Sequence, residues 1–227
     1  MFKKKLNFKK SLSSQISLIK RPISFKENPR DPKLLWLDKN ENLSNIIFNF
    51  LKKKIQKVDP KFLFSYPNFK KLYILLSEYL KVKPDNILLT YGSDGAIKIV
   101  YDAFLKSGDK VLRLNPTFAM YSVYPQMYNC KDIKLEYKNK NDEPYIDVKK
   151  LIKLIKKYKP KILSLANPDS PTGQIINSKD LELIFKKSLE SNTIVLLDEA
   201  YFMFYKNTKV SRIKKFPNLI ITRSFSK

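Results

Sequence analysis

From residue 87 to the end, short apolar runs alternate with helical patterns, and no other feature constrains the fold as tightly. Strands are expected over 87–90, 110–114, 132–137, 161–166, 193–197 and 219–222. Between them, one helix opens at Gly92-Ser93-Asp94 and runs to Leu105. Further helices are expected over 116–129, 147–158 and 178–190, the last capped by Ser178. Parallel strands need a crossover of about a dozen residues, usually a helix. This spacing therefore predicts an α/β fold, a mainly parallel sheet sandwiched by helices. Sheets of this kind bind ligands outside the carboxyl ends of their strands. The unusual residues of this chain collect at those ends.

Upstream the pattern changes. Ile46, Ile47, Phe50, Leu51 and Ile55 have helical spacing behind a Ser44 cap. Residues 64–67 form a turn, and Phe69, Leu72, Leu75, Leu76, Tyr79 and Leu80 mark one face of a second helix. Residues 1–43 carry little periodicity and three prolines, Pro22, Pro29 and Pro32. They are expected to form an irregular N-terminal arm, with 44–227 as the large domain.

The formal charge of +24 raises nucleic-acid binding. The basic residues, however, are nearly all lysine, with arginine only at 21, 30, 113, 212 and 223. Base and phosphate recognition favours the arginine fork. A general attraction to anions, including phosphorylated small molecules, fits better. Cys130 stands alone and can form no internal disulfide, so a reducing compartment is inferred and cytoplasm is the default. No apolar run reaches the ~18 residues of a membrane span. The chain has no histidine, which excludes histidine triads, histidine metal ligands and histidine general bases.

Five segments carry chemistry. Tyr91-Gly92-Ser93-Asp94-Gly95-Ala96 follows a strand and opens a helix, where free N–H groups bind phosphate, or where Ser or Asp is an ordinary cap. In Asn115-Pro116-Thr117-Phe118, the aromatic either stacks on a planar ring or fills the core. Asn167-Pro168-Asp169-Ser170-Pro171-Thr172-Gly173 is a rigid loop that either holds polar groups over a ligand or merely connects. Asp198 ends the apolar run 194–197, so it is partly buried and needs a cation: a protonated pyridine nitrogen, a lysine or a metal. An Asp198-Glu199 nucleotide-hydrolysis pair is disfavoured, because the P-loop lysine and its Ser/Thr are missing. Lys227 closes the string Thr222-Arg223-Ser224-Phe225-Ser226-Lys227, at the end of the next strand. An amine, a carboxylate and hydroxyls at one sheet edge are what an aldehyde cofactor with a phosphate requires.

In this order, the strings resemble the class I/II pyridoxal-phosphate aminotransferases, most closely the histidinol-phosphate aminotransferase group. The matches are LDKNEN (37–42), SYP (65–67), PDNILLTYGSDGAI (84–97), GDKVLRLNPTFAMY (108–121), NPDSPTG (167–173), LLDEAY (196–201) and PNLIITRSFSK (217–227). The resemblance implies the large domain of a fold type I enzyme and pyridoxal 5'-phosphate as cofactor. It places Lys227 at the covalent attachment to the cofactor aldehyde and at the 1,3-proton shuttle. Asp198 falls opposite the pyridinium nitrogen, Tyr201 at the ring oxygen and Phe118 against the ring face. Ser93, Asp94 and Ser224 fall at the phosphate. Tyr66 falls where the family sends a tyrosine into a neighbouring subunit's site, which implies a homodimer. No metal is implied.

Three departures qualify it. Ser170 stands where the family usually has Asn for the ring oxygen; Ser is shorter, and Asn167 or Asp169 is left to compensate. Gly95 replaces a common acidic residue. After its lysine the family continues with a phosphate-binding arginine and a small C-terminal domain bearing the substrate-carboxylate arginine. Their absence implies an incomplete large domain that is inactive alone. The expected reaction is amino transfer between an amino acid or amino-phosphate compound and a 2-oxo acid, with glutamate and 2-oxoglutarate as one couple. Two alternatives stay open: a threonine-phosphate-type decarboxylase, and an inactive basic relic of the fold that binds nucleic acid.

Overall fold

The structure, a computed structural model, describes residues 31, 33–34 and 44–227. The expected arm over 1–43 lies almost wholly outside the described residues, as does the string at 37–42. The described residues divide into two compact units, one spanning Leu89–Ser226 and one holding the described part of Ile23–Leu88 with Lys227.

The smaller unit carries helices α1, Asn45–Ile55, and α2, Lys70–Leu80. Ser44 caps α1 by accepting the Ile46 N–H on Oγ at 3.3 Å, and Lys52, Lys53 and Lys54 oppose the dipole at its other end. The α2 helix stops where Lys81 turns left-handed at φ 56°. Both helices have apolar residues at helical spacing, yet neither buries a single one.

The larger unit opens with α3, Gly92–Phe104, and then runs β1 (Lys110–Asn115), α4 (Met120–Met127) and β2 (Lys131–Glu136). A hairpin of β3 (Lys138–Lys140) and β4 (Glu143–Tyr145) leads into α5 (Val148–Tyr158). There follow β5 (Ile162–Ala166), α6 (Ser178–Glu190), β6 (Ile194–Asp198) and β7 (Leu219–Thr222). Five strands form one sheet in the order β2-β1-β5-β6-β7, every neighbouring pair parallel. The expected parallel α/β sheet is therefore present.

Side chains alternate across a strand, so each central strand feeds two cores. Leu163, Leu165, Val195 and Leu197 point to the face where α5 and α6 bring Leu151, Ile155, Leu181 and Phe185. Ile162, Ala166 and Leu196 point to the opposite face, covered by Ile97 and Tyr101 of α3 and Tyr121 of α4. By the same alternation Asp198 faces α3 and α4. Strand order reverses between β1 and β5: the chain leaves β1 for β2 on one side, then returns to β5 on the other. Crevices at such reversals are where open α/β sheets bind ligands.

Four local expectations differ. Residues 87–90 join no sheet among the described residues, and Leu88 is exposed, so an apolar run without a strand partner stays a connector. The helix expected over 116–129 is only α4; residues 116–119 form a loop instead. The α6 cap is Asn177, whose side-chain oxygen accepts the Asp180 N–H at 2.9 Å, and Ser178 is the first helical residue. The β3–β4 hairpin was not expected. It turns on Asn141 and Asp142, both left-handed at φ 51° and 61°.

Candidate active site

Asp198 is the last residue of β6, and its carboxylate is buried. Oδ1 accepts from Thr222 Oγ1 at 2.8 Å and from the Ala200 N–H at 3.0 Å. Oδ2 accepts from Tyr121 Oη at 3.0 Å. Every one of these donors is uncharged. Burial pushes the Asp198 carboxyl above its ordinary range, opposed by the Thr222, Tyr121 and Ala200 hydrogen bonds. Each carboxylate oxygen has two lone pairs. Oδ1 is filled and Oδ2 is half-filled, so one acceptor position remains on a buried anion at the carboxyl edge of the sheet.

Thr222 reaches Asp198 because β6 and β7 pair in register, Asp198 opposite Thr222. Tyr121 reaches it from the first turn of α4. Neither was anticipated from the sequence. The readable signal was a hydroxyl residue at the last β7 position, facing the same side of the sheet as the acid one strand away. Burial and the adjacent Asp198 hold the Tyr121 phenol well above its ordinary value, so it remains a hydroxyl donor. Phe118 stands edge-on to Tyr121, centroids 5.9 Å apart, with part of its ring exposed.

The loops leaving β1 and β5 meet at the reversal point. Asp169 is buried and accepts Thr117 Oγ1 on Oδ1 at 2.6 Å and Thr172 Oγ1 on Oδ2 at 2.7 Å. One carboxylate thus braces the loop carrying Phe118 against the loop carrying Ser170. Both oxygens of Asp169 are committed to that brace, one donor on each. Asn167 uses Oδ1 for the Ile176 N–H at 2.8 Å, and its own N–H bonds the Asp198 carbonyl at 2.9 Å. Ser170 is half-buried.

Past β7, Ser224 Oγ hydrogen-bonds Ser226 Oγ at 2.6 Å and accepts the Ser226 N–H at 3.0 Å. The same Oγ lies beside the start of α3: a Cβ on Gly92 would sit 3.9 Å from it. Gly92 itself has φ +72°, a left-handed position where a side chain is strained. Ser93 follows half-buried, and exposed Asp94 accepts from Tyr124 Oη at 2.9 Å. Ser224, Gly92 and Ser93 are thus gathered at one helix N-terminus. Tyr201 is half-buried just beyond Ala200, its ring 6.1 Å from that of Phe204.

Glu199 points elsewhere. Its buried carboxylate accepts the Lys209 N–H at 2.6 Å, Thr208 Oγ1 at 2.7 Å and Arg223 Nε at 3.1 Å. With the Glu199 N–H on the Thr222 carbonyl at 2.8 Å, this ties the β6 exit to the β7 exit just before Ser224. Tyr66 and Lys227 fall in the other unit, where Tyr66 is fully exposed; they are connected to the sheet edge through the resemblance alone. No group of three or more Cys, Asp or Glu among the described residues is placed to hold a metal. None of the described helices is long and apolar enough to cross a membrane.

A parallel sheet with hydroxyls, a helix N-terminus and a buried acid at its carboxyl edge defines an α/β ligand-binding domain. More particularly, the chain belongs to the class I and II aminotransferase family, whose model matches residues 32–227. A histidinol-phosphate aminotransferase of Thermoanaerobacter sp. strain X514 is 44% identical over 161 residues, covering 71% of this chain and 44% of that protein. The chain thus spans less than half of that relative's length. Among solved structures, the histidinol-phosphate aminotransferase of Sinorhizobium meliloti in complex with pyridoxal-5'-phosphate superposes with TM-score 0.65 at 20% identity, over 81% of this chain and 49% of that one. A decarboxylase from Sulfurospirillum multivorans superposes with TM-score 0.63 at 21% identity, over 80% of this chain and 50% of that one. At these identities the two structures establish a shared fold.

Proposed function

We propose that this chain is the cofactor-binding part of a pyridoxal-phosphate-dependent aminotransferase of the histidinol-phosphate aminotransferase type. The observation that carries the reading is the buried Asp198 carboxylate with one acceptor position left on Oδ2. A buried anion held only by neutral donors is costly unless a cation meets it. A protonated pyridine nitrogen is such a cation. Six residues fit the remaining groups. Ser93 and Ser224, with Asp94 supporting Tyr124 alongside, would hold the phosphate at the α3 N-terminus. Phe118 would lie against the ring face, and Tyr201 and Ser170 would face the ring oxygen, Ser170 through a water.

When bound, pyridoxal phosphate supplies an electron sink for the substrate's α-carbon. The chain's own residues do the rest. Asp198 keeps its partner nitrogen protonated by offering a negative acceptor. Lys227 Nζ would supply the amine that holds the cofactor aldehyde covalently, with loss of water, and would serve as the proton carrier at the substrate's α-carbon. The substrates are an amino acid or amino-phosphate compound and a 2-oxo acid. The lysine-rich surface suits a phosphorylated one. The exposed apolar residues of α1 and α2, and exposed Tyr66, support a homodimer in which Tyr66 reaches the partner's site. The setting is cytoplasmic.

The test is turnover by the full-length protein with histidinol phosphate and 2-oxoglutarate. Glutamate and the corresponding oxo product should appear without carbon dioxide. Carbon dioxide release from an amino-acid substrate would replace this reading with the decarboxylase one.

A further inference from the structure

We propose that Tyr121 is a positioning residue that shares Oδ2 of Asp198 with the cofactor's ring nitrogen and weakens that pairing by its own hydrogen bond. The proposal rests on the pyridoxal-phosphate reading and concerns a residue which that reading leaves unassigned. The geometry is specific. Oδ1 is saturated by Thr222 Oγ1 and the Ala200 N–H, so it has no room for a further donor. Oδ2 has one donor, Tyr121 Oη at 3.0 Å, and one open lone pair. A ring N–H can therefore pair only with Oδ2, on the oxygen that Tyr121 already occupies. Two donors on one oxygen divide its negative charge. The hydroxyl cannot withdraw, because Tyr121 is wholly buried and its ring is fixed edge-on to Phe118.

The same phenol links two parts of the site. Phe118, proposed to cover the ring face, packs on Tyr121; Tyr121 bonds the acid proposed to hold the ring nitrogen. The first turn of α4, through Tyr121, thus touches both the ring proposed to stack and the acid proposed to pair with the nitrogen. Thr222 acts on the same carboxylate from the other oxygen, across the β6–β7 register. Burial leaves the phenol a donor throughout the working pH range. An anion that loses a donor becomes a stronger acceptor for those that remain.

The experiment compares two ligands in the full-length protein: pyridoxal phosphate, and its carbon analogue with C–H in place of the ring nitrogen. The ratio of their dissociation constants reads the nitrogen–Asp198 pairing alone, since phosphate, ring oxygen and aldehyde are common to both. The wild-type protein should favour pyridoxal phosphate. Tyr121→Phe should increase that preference by about tenfold, with a shift in the absorbance maximum of the bound cofactor. Thr222→Val should move the ratio in the same direction, and Thr222→Ser should restore it, which keeps the test decisive if Tyr121→Phe folds poorly. An unchanged or reduced ratio in Tyr121→Phe and Thr222→Val, with the wild type still discriminating, overturns the proposal and leaves the cofactor reading intact. A wild type that captures neither ligand overturns the cofactor reading and this proposal together.

Discussion

Replacing Thr117 with valine isolates the brace at the reversal point of the sheet. The side chains are close in shape, so the substitution removes a hydroxyl and little else. That hydroxyl donates to Asp169 Oδ1 at 2.6 Å, and Asp169 is only 3% exposed. Hydrogen bonds to charged groups contribute about 1.5–3 kcal/mol net, and a buried acceptor stripped of its donor bears the desolvation cost. Thr172 still serves Oδ2 at 2.7 Å, so the carboxylate keeps one of its two hydroxyl donors. The expected loss is about 2 kcal/mol, a fall of roughly thirtyfold in the folding equilibrium. Thr172→Val should cost a similar amount. The double variant should depart from additivity by about 0.5 kcal/mol or more, because both hydroxyls serve one carboxylate. Urea denaturation of the full-length protein followed by far-ultraviolet circular dichroism measures all three. A Thr117→Val protein within about 0.5 kcal/mol of wild type, the spread of an ordinary surface change, refutes the brace.

Further expectations follow from other buried groups. Asp198→Asn keeps the Thr222 and Ala200 bonds on its amide oxygen and can donate to Tyr121 Oη, so it should fold. Burial raises the Asp198 carboxyl, so its ionisation opposes folding as pH rises above the unfolded value. The cofactor-free variant should therefore melt higher than wild type at pH 7, and the gain should vanish below about pH 4. The Tyr124 phenol is pushed up to about 12, chiefly by burial and then by its bond to Asp94. Its stabilisation is complete below its ordinary value near 10 and is lost as pH climbs through 12, so Tyr124→Phe should flatten this limb of alkaline unfolding. Arg113, buried in β1, is held by Asp132 through Nε at 2.9 Å and Nη2 at 2.8 Å. Asp132→Ala removes the anion facing that guanidinium, leaving only Nη1 bonded to the Leu114 carbonyl and Asn115 Oδ1, and should cost about 3–5 kcal/mol in chemical denaturation, whereas replacing both partners with apolar residues should cost less.

The sequence disclosed most of the larger unit because each central strand is a continuous apolar run bounded by turn residues. Runs such as Ile194–Leu197 leave little doubt about burial on both faces. Residues 87–90 have the same look, yet pairing depends on a neighbouring edge that composition does not encode. The β3–β4 hairpin was hidden by its polarity, since Lys138–Lys140 is exposed throughout. Its one cue was Asn141-Asp142, a pair suited to the left-handed turn it makes. Pro116 suggested a helix start, but α4 begins only at Met120 and carries Pro125 within it. At the site, Asp198 stood out because an acid ending an apolar run needs a partner. Tyr121 and Thr222 did not, because contacts across 77 and 24 residues of chain arise only from strand register and helix placement. Asp169 was one of two residues left to compensate for Ser170, and its bonds to Thr117 and Thr172, which join two loops, could not be read from the sequence.

The most direct test of the central claim is covalent. The full-length protein is incubated with pyridoxal phosphate, reduced with borohydride, digested and analysed by mass spectrometry. One reduced pyridoxyl-phosphate group should appear on the peptide containing Lys227, and Lys227→Ala should abolish it, with Asp198→Asn weakening capture. Stoichiometric label on other lysines with Lys227 unmodified, or no label at all, contradicts the account.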